Sequence, residues 1–151
     1  MFESIVVGTD GSQTATIAVQ QAVELAALHG ATLHLVHAHR LVSAGQMANA
    51  AVAGAPTFDI EGVNRGIEEE SRQVGVHAAS QAARAGVKCE THLVPGDAAD
   101  ALIDVAEQVG ADLIVVGNRG MTGARRVLGS VPNKVSHHSP CSLLIIDTMK
   151  K

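Results

Sequence analysis

Five short apolar runs alternate with segments of helical periodicity along this 151-residue chain, and this alternation constrains the fold more than any other feature. The runs cover residues 4–9, 31–38, 87–93, 113–116 and 142–147. Short runs rich in β-branched residues are typical of strands covered on both faces of a parallel sheet. In the third run, apolar residues alternate with Lys88, Glu90 and His92. This alternation predicts a strand with one wet face near a sheet edge.

Four helices are predicted between the strands. Ser12 is the expected N-cap of the first helix, at residues 13–29, and Gly30 closes it. From position 60 to 85 small or apolar residues recur at steps of three and four, which predicts a helix of about seven turns whose glycines weaken its first half. Asp97 and Ser130 are the expected caps of the last two helices. Residues 41–60 have no clear period and are interpreted as a mobile loop.

This order of elements predicts one α/β domain over residues 1–151. Its expected architecture is a single open, Rossmann-like, doubly wound parallel sheet of five strands with right-handed crossovers. Such sheets bind ligands at the carboxyl ends of strands, where the strand order reverses. Asp10 and a glycine-rich loop both follow strand ends of this kind. If the first and fourth strands are neighbours, the two loops face each other across one crevice.

Composition narrows the class of partner. Phe2 and Phe58 are the only aromatic residues and the formal net charge is −4, so we expect no nucleic-acid partner. The sequence has no apolar run long enough for a membrane span and no signal-peptide pattern, which predicts a cytoplasmic protein without membrane contact. In that compartment Cys89 and Cys141, each on an apparent strand, are expected to be buried and reduced.

The glycine-rich loop carries the strongest functional signal. After the fourth apolar run come Gly117, Gly120, Gly123 and Gly129, and the last is followed by Ser130. The backbone N–H groups of such a loop, together with a helix N-terminus, form an anion site. Residues 117–140 also contain no Asp or Glu, whereas they include four basic residues, namely Arg119, Arg125, Arg126 and Lys134. Because no Gly-Lys-Ser/Thr follows the glycines, the loop is not a Walker A motif.

Two motifs together resemble the universal stress protein family over essentially the whole chain. They are V-G-T-D-G-S at residues 7–12 and G-x2-G-x8-G-S from Gly117 to Ser130. The resemblance implies the strand order 3-2-1-4-5, homodimers, a role in stress response or signalling, and a bound ATP, which can carry Mg²⁺. In ATP-binding members of the family, nine residues separate the second loop glycine from the glycine of the G-S pair. In this chain eight residues separate Gly120 from Gly129. AMP and cAMP therefore remain alternatives to ATP.

The resemblance also implies a set of nucleotide-binding residues. Glycines 117 and 120 and Asn118 would approach the phosphates or ribose, and positions 129–131 would hold phosphate oxygens. The first-strand loop would place its carboxylate beside the nucleoside, and Ala38 would contact the adenine edge. Arg119 either reaches a phosphate or is solvated, and Asp10 is otherwise a turn or cap former. The full set is Gly8, Thr9, Asp10, Ala38, Gly117, Asn118, Arg119, Gly120, Gly129, Ser130 and Val131.

The sequence contains no arrangement of a nucleophile and a base, which favours a binding protein over an enzyme. A slow ATP hydrolase and a ligand-free dimeric interaction protein remain alternatives. The histidine pairs at 37 and 39 and at 137 and 138 have no Cys or acidic companion at ligand spacing, so no protein-bound metal is expected. The apolar run from Leu143 to Ile146 is the predicted edge strand for dimerisation.

Overall fold

The computed structural model describes residues 1–118 and 129–148. The strands are β1 (Ser4–Gly8), β2 (Thr32–His39), β3 (Cys89–Pro95), β4 (Leu113–Gly117) and β5 (Ser142–Ile146). The helices are α1 (Gln13–His29), α2 (Ala44–Val52), α3 (Ile60–Arg84), α4 (Ala98–Val109) and α5 (Ser130–His138). None of the helices in these two ranges is long and apolar enough to cross a membrane.

All five strands are parallel and form one sheet in the order β3-β2-β1-β4-β5. The predicted doubly wound architecture and strand order are therefore confirmed. β3, the strand predicted to have a wet face, lies at one edge of the sheet, and β5 lies at the other. From β1 the chain continues to β2 on one side, whereas from β4 it continues to β5 on the other side. The crevice between β1 and β4 is therefore the topological switch point.

The described ranges contain five helices instead of the four predicted, because the interpretation of residues 41–60 as a loop was wrong. Helix α2 begins after Ser43, whose hydroxyl accepts a hydrogen bond from Gln46 N at 3.2 Å. Gln46 Oε1 in turn accepts one from Ser43 N at 2.9 Å. This reciprocal pair is a capping box, and its S-x-x-Q pattern is visible in the sequence. The helix was missed because all nine of its residues are at least partly exposed and show no apolar period.

The two faces of the sheet are covered by different helices. On one face Ile5, Val7 and their neighbours on β2 and β4 pack against α1 and α3. On the other face Val6, Val36 and Ile114 pack against α4 and α5. Because successive strand residues point to opposite faces, the continuous apolar runs of β1 and β4 supply both cores at once.

Helix capping follows the sequence at two helices and departs from it at a third. Ser12 accepts a hydrogen bond from Ala15 N at 3.2 Å, and Asp97 caps α4 as predicted. The expectation that Ser130 caps α5 was wrong. Gly129 is the N-cap residue, no side chain in the described part of the chain caps the helix, and Ser130 is its first helical residue. The first N–H groups of α5 are therefore left for another acceptor.

Helix α3 is continuous from Ile60 to Arg84, including the half that the glycines were expected to weaken. Gly75 is buried, and a Cβ placed there would lie 2.8 Å from Thr91 Cγ2 on β3. Gly66 is exposed, and no heavy atom of the described residues lies within 4 Å of such a Cβ. One glycine thus allows helix and sheet to approach closely, whereas the other only lowers helix propensity.

We expect Gly66→Ala and Gly75→Ala to change stability in opposite directions. The first should raise the free energy of unfolding by about 0.5–1 kcal/mol, because alanine restricts the unfolded chain. The second should lower it by about 1 kcal/mol, because the added methyl group meets a stiff β-branched side chain. Urea denaturation of both variants beside the wild type measures the difference. Equal stabilisation by both would show that α3 does not rest on β3 at Gly75.

Both cysteines are free and half-buried, which differs from the full burial expected. Cys89 begins β3, whereas Cys141 lies just before β5 instead of on a strand. Desolvation raises the pKa of each thiol above its ordinary value. Cys89 packs with the α1/α3 core and Cys141 with the α4/α5 core, so the sheet separates them.

Candidate functional site

A cavity of about 490 Å³ opens at the carboxyl ends of β1 and β4. Its floor and walls come from the ends of β1, β2 and β4, the loop after β1, and the first turns of α1, α4 and α5. Its lining residues are Gly8, Thr9, Asp10, Ser12, Thr14, Ala15, Val36, Ala38, Ala98, Leu102, Val116, Gly117, Gly129, Ser130, Val131 and Pro132. The cavity lies at the switch point of the sheet, where the doubly wound topology predicts a ligand.

Hydrogen bonds hold the loop after β1 against the neighbouring strand. Thr9 N donates to Val36 O at 2.9 Å, and Thr9 O lies 2.8 Å from His37 Nδ1. Asp10 Oδ1 accepts from Ser12 N at 2.9 Å, so this carboxylate does form the turn considered in its alternative interpretation. Asp10 is nevertheless exposed and lines the cavity. The turn thus presents the carboxylate at the cavity rim.

The N-terminus of α5 faces the cavity through Gly129, Ser130 and Val131. The next residue, Pro132, has no N–H group to leave unsatisfied, and its φ suits the first turn of a helix. The first hydrogen bond of the helix runs from Asn133 N to Gly129 O at 3.0 Å. No described side chain caps these N–H groups, and free N–H groups at the positive end of a helix dipole form a site suited to an anion.

The cation predicted at position 134 is engaged elsewhere. Lys134 Nζ lies 2.7 Å from Oδ1 of Asp100, in the first turn of α4, and 3.3 Å from Oδ1 of Asp97, its N-cap. These hydrogen bonds and charges raise the pKa of Lys134. Lys134 is therefore paired although the sequence around the glycine loop contains no acid. Its acidic partners come from the start of α4, which is distant in the sequence. Arg119, Arg125 and Arg126 lie outside the described residues.

Asp97→Ala is expected to lower the free energy of unfolding by about 1 kcal/mol, because Asp97 caps α4. Its Oδ1 accepts hydrogen bonds from Ala99 N and Asp100 N, each at 3.1 Å. Asp97→Asn should retain most of the stability at neutral pH, since asparagine is also a good cap. A comparison of the two variants by thermal unfolding separates the cap from the charge.

The carboxyl of Asp97 should also make stability depend on pH. The Asp100 amide, with help from Lys134, lowers its pKa below its ordinary value of 3.8. A carboxyl with a lower pKa in the folded state contributes fully above its ordinary value, and the contribution is lost as the pH falls through the lowered value. Asp97→Asn should therefore flatten the acid limb of the stability curve. An unchanged acid limb would contradict this role.

Asn118 follows β4 but is not among the cavity-lining residues. Its Nδ2 donates to Asp147 Oδ1 at 3.0 Å, and its Oδ1 accepts from Thr148 N and Thr148 Oγ1, each at 2.9 Å. Its backbone N–H donates to Ile146 O at 2.9 Å. The structure thus places this side chain against the segment after β5 instead of in the cavity.

The structure brings together eight of the eleven residues predicted to bind nucleotide. These eight all line the cavity: Gly8, Thr9, Asp10, Ala38, Gly117, Gly129, Ser130 and Val131. Arg119 and Gly120 lie outside the described residues. The prediction missed the apolar walls, because Val36, Leu102 and Val116 have the pattern of ordinary core residues. The strand order is needed to show that these three residues border a crevice at the carboxyl ends of the strands.

A second polar cluster, not predicted from the sequence, lies at the other end of the strands. His34 Nδ1 on β2 is 3.0 Å from His92 Nε2 and 3.7 Å from Glu90 Oε2, both on β3. His34 is only 6% exposed, and burial lowers its pKa, opposed by the nearby Glu90 carboxylate. The signal in the sequence was the pair Glu90 and His92, two residues apart on one strand face. Its partner His34 could not be assigned without the strand register.

Comparison with known proteins gives one consistent family. The model of the universal stress protein family matches residues 1–147. The universal stress protein YxiE of Bacillus subtilis is 33% identical over 147 residues, which cover 97% of this chain and 99% of the relative. A universal stress protein solved in complex with cAMP is 32% identical, with a TM-score of 0.72 and coverage of 97% and 98% of the two chains. The universal stress protein of Archaeoglobus fulgidus in complex with dAMP is 25% identical, with a TM-score of 0.67 and coverage of 96% and 98%. A full-length family match and a full-length relative at this identity agree, and the chain therefore belongs to the universal stress protein family.

Proposed function

We propose that this protein binds an adenine nucleotide in the cavity between the β1 loop and the N-terminus of α5. The observation that carries the proposal is the cavity itself, which combines apolar walls with a helix N-terminus that no described side chain caps, at the switch point of the sheet. A nucleotide has the matching chemistry, with a flat aromatic base whose faces stack on apolar surfaces at one end and an anion at the other. Relatives solved with cAMP and dAMP support the same class of ligand.

The arrangement of the lining suggests how the ligand lies. Ala38 and Val36 at the end of β2 form an apolar surface for the base, and Leu102 of α4 closes it from the opposite side. Gly117, Gly129 and Ser130 are at the β4 and α5 side, where backbone can approach phosphate oxygens closely. Asp10 lies at the rim, within the part of the lining that would meet the ribose hydroxyls.

We expect the number of phosphates to be decided by the glycine loop. Its eight-residue interval is one shorter than in ATP-binding members, which leaves less chain to surround a γ-phosphate. The two related complexes contain a cyclic and a linear monophosphate. We therefore rank cAMP and AMP ahead of ATP, and Mg²⁺ would enter only with a polyphosphate.

Isothermal titration calorimetry with cAMP, AMP and ATP, the last with and without Mg²⁺, tests the proposal. We expect one site per chain, with a monophosphate bound at least as tightly as ATP. GMP is the matched control for the base, and ribose 5-phosphate is the control for the phosphate alone. Failure of all three adenine nucleotides to bind at millimolar concentration would refute the proposal.

A role as a slow hydrolase is the competing function in the same cavity. Asp10 is the one carboxylate among the described lining residues, and a carboxylate within reach of an attacking water can act as a general base. Phosphate release from ATP by the wild type, compared with Asp10→Asn, decides between the two functions. We expect no difference, because a binding protein needs no proton transfer. A rate that depends on Asp10 would favour catalysis.

We also propose that two copies pair through β5, at the sheet edge opposite β3. Its residues from Leu143 to Ile146 pack against both cores yet remain partly exposed. An apolar edge strand of this kind invites pairing unless a partner covers it. Light scattering should give twice the chain mass of 15.5 kDa, and Leu144→Lys should give the monomer. A monomeric wild type at micromolar concentration would contradict the pairing.

A further inference from the structure

We propose that His34, Glu90 and His92 form a binding site for a divalent transition-metal ion of the zinc class. The three ligand atoms are His34 Nδ1, His92 Nε2 and a carboxylate oxygen of Glu90, and all lie within 4.8 Å of one another. Among the described residues this is the single group of three with such spacing. The site is independent of nucleotide binding, because it lies toward the amino ends of the strands.

The parallel register of β2 and β3 creates the cluster. In this register His34 pairs with Glu90, and Val36 pairs with His92. His34 therefore lies directly beside Glu90 and diagonally across from His92. Register partners on adjacent strands are about 4.8 Å apart, and residues two apart on one strand face the same side. The three side chains therefore converge on one point from two hydrogen-bonded strands. A site on paired strands is held more rigidly than one on a loop.

The distances fit a small metal ion. With bonds of about 2.0–2.1 Å and tetrahedral geometry, neighbouring ligand atoms are about 3.3 Å apart. The observed separations of 3.0 Å between the two nitrogens and 3.7 Å between His34 Nδ1 and Glu90 Oε2 bracket this value. The third pair, His92 Nε2 and a carboxylate oxygen of Glu90, lies within 4.8 Å, so side-chain rotations are enough to bring all three atoms to bonding distance of one ion. Without metal, one imidazole donates a hydrogen bond to the other at the same place.

The donor set selects the class of ion. Two imidazole nitrogens and one carboxylate suit Zn²⁺ and its neighbours, whereas Mg²⁺ and Ca²⁺ prefer oxygen ligands. Three protein ligands leave a fourth position for water. Cys89 does not contribute, because it packs with the α1/α3 core on the other face of β3.

Lys88 places a positive charge next to the proposed site, which opposes a cation there. Its Nζ lies 3.6 Å from Glu90 Oε1, the oxygen that does not face His34. The Lys88 side chain is 73% exposed, so it can move into water when a metal ion arrives. Removal of this charge should therefore strengthen metal binding. This expectation distinguishes a metal site from a simple hydrogen-bonded histidine pair.

Titration of the full chain with Zn²⁺ alone, in a reducing buffer without nucleotide, tests the site. We expect one site per chain, and His92→Gln and Glu90→Gln should each weaken it about tenfold or more. Both residues are at the edge strand, so these variants avoid the buried His34. Lys88→Gln should tighten binding severalfold. The double variant His137→Gln/His138→Gln, at exposed adjacent histidines of α5, is the matched control and should bind as the wild type does.

The absorption spectrum with Co²⁺ in place of Zn²⁺ provides a second readout. Visible bands of a tetrahedral ion without a thiolate charge-transfer band would support ligation by nitrogen and oxygen. The proposal fails if zinc affinity is unchanged in His92→Gln and Glu90→Gln. It also fails if the control at His137 and His138 removes the binding, because the metal would then be held on α5.

Discussion

Ala38→Phe is expected to weaken adenine-nucleotide binding about 100-fold, which corresponds to roughly 2.7 kcal/mol. Ala38 lies near the end of β2 and lines the cavity together with Val36 and Leu102. A phenyl ring at this position would occupy the apolar surface assigned to the base. The fold should tolerate it, because the Ala38 side chain is only half-buried and faces the cavity.

Calorimetry with cAMP and AMP measures the loss, and thermal unfolding without ligand measures the fold. Ala27→Phe is the matched control, since Ala27 is exposed on α1 and does not line the cavity. The stabilisation that a ligand gives to the folded state grows with its concentration relative to Kd. The nucleotide-dependent shift in Tm should therefore disappear in Ala38→Phe and persist in Ala27→Phe. Undiminished affinity in Ala38→Phe would place the base elsewhere.

The fold was predictable from the sequence because its signals are local and repeated. The central strands β1 and β4 are continuous apolar runs, and Ser12 and Asp97 mark two helix starts without reference to anything distant. Helix α2 escaped prediction for the opposite reason. It buries no residue, so its sequence shows no apolar periodicity. The capping box at Ser43 and Gln46 is the one signal for this helix in the sequence.

The candidate site was predictable only in part, because a site depends on which strands are neighbours. Gly117, Gly129 and Asp10 carry their signal in the residue type, and the structure places these three around one cavity. The apolar walls, the pairing of Lys134 with Asp97, and the contact between His34 and His92 depend on tertiary proximity. The two hydrogen-bonded histidines are 58 residues apart in the sequence, so no local spacing predicts their contact.

Asn118→Ala is expected to lower the free energy of unfolding by about 2 kcal/mol or more, because it leaves buried groups without partners. Asn118 and Thr148 are 7% and 4% exposed. The substitution removes the acceptor for both Thr148 N and Thr148 Oγ1, and the donor to Asp147. These bonds tie the end of β4 to the chain after β5, next to Gly117, where a Cβ would already meet Thr148 Cγ2 at 3.0 Å.

Urea denaturation measures this loss, with Asn133→Ala as the matched control on the exposed surface of α5. The control should be neutral or slightly stabilising, because alanine favours a helix. Calorimetry at low temperature, where Asn118→Ala remains folded, then separates two roles of the residue. If Asn118 positions the end of β4, the folded variant should bind nucleotide within a few-fold of the wild type. A loss of affinity as large as that of Ala38→Phe, without a loss of stability, would instead place Asn118 in contact with the ligand.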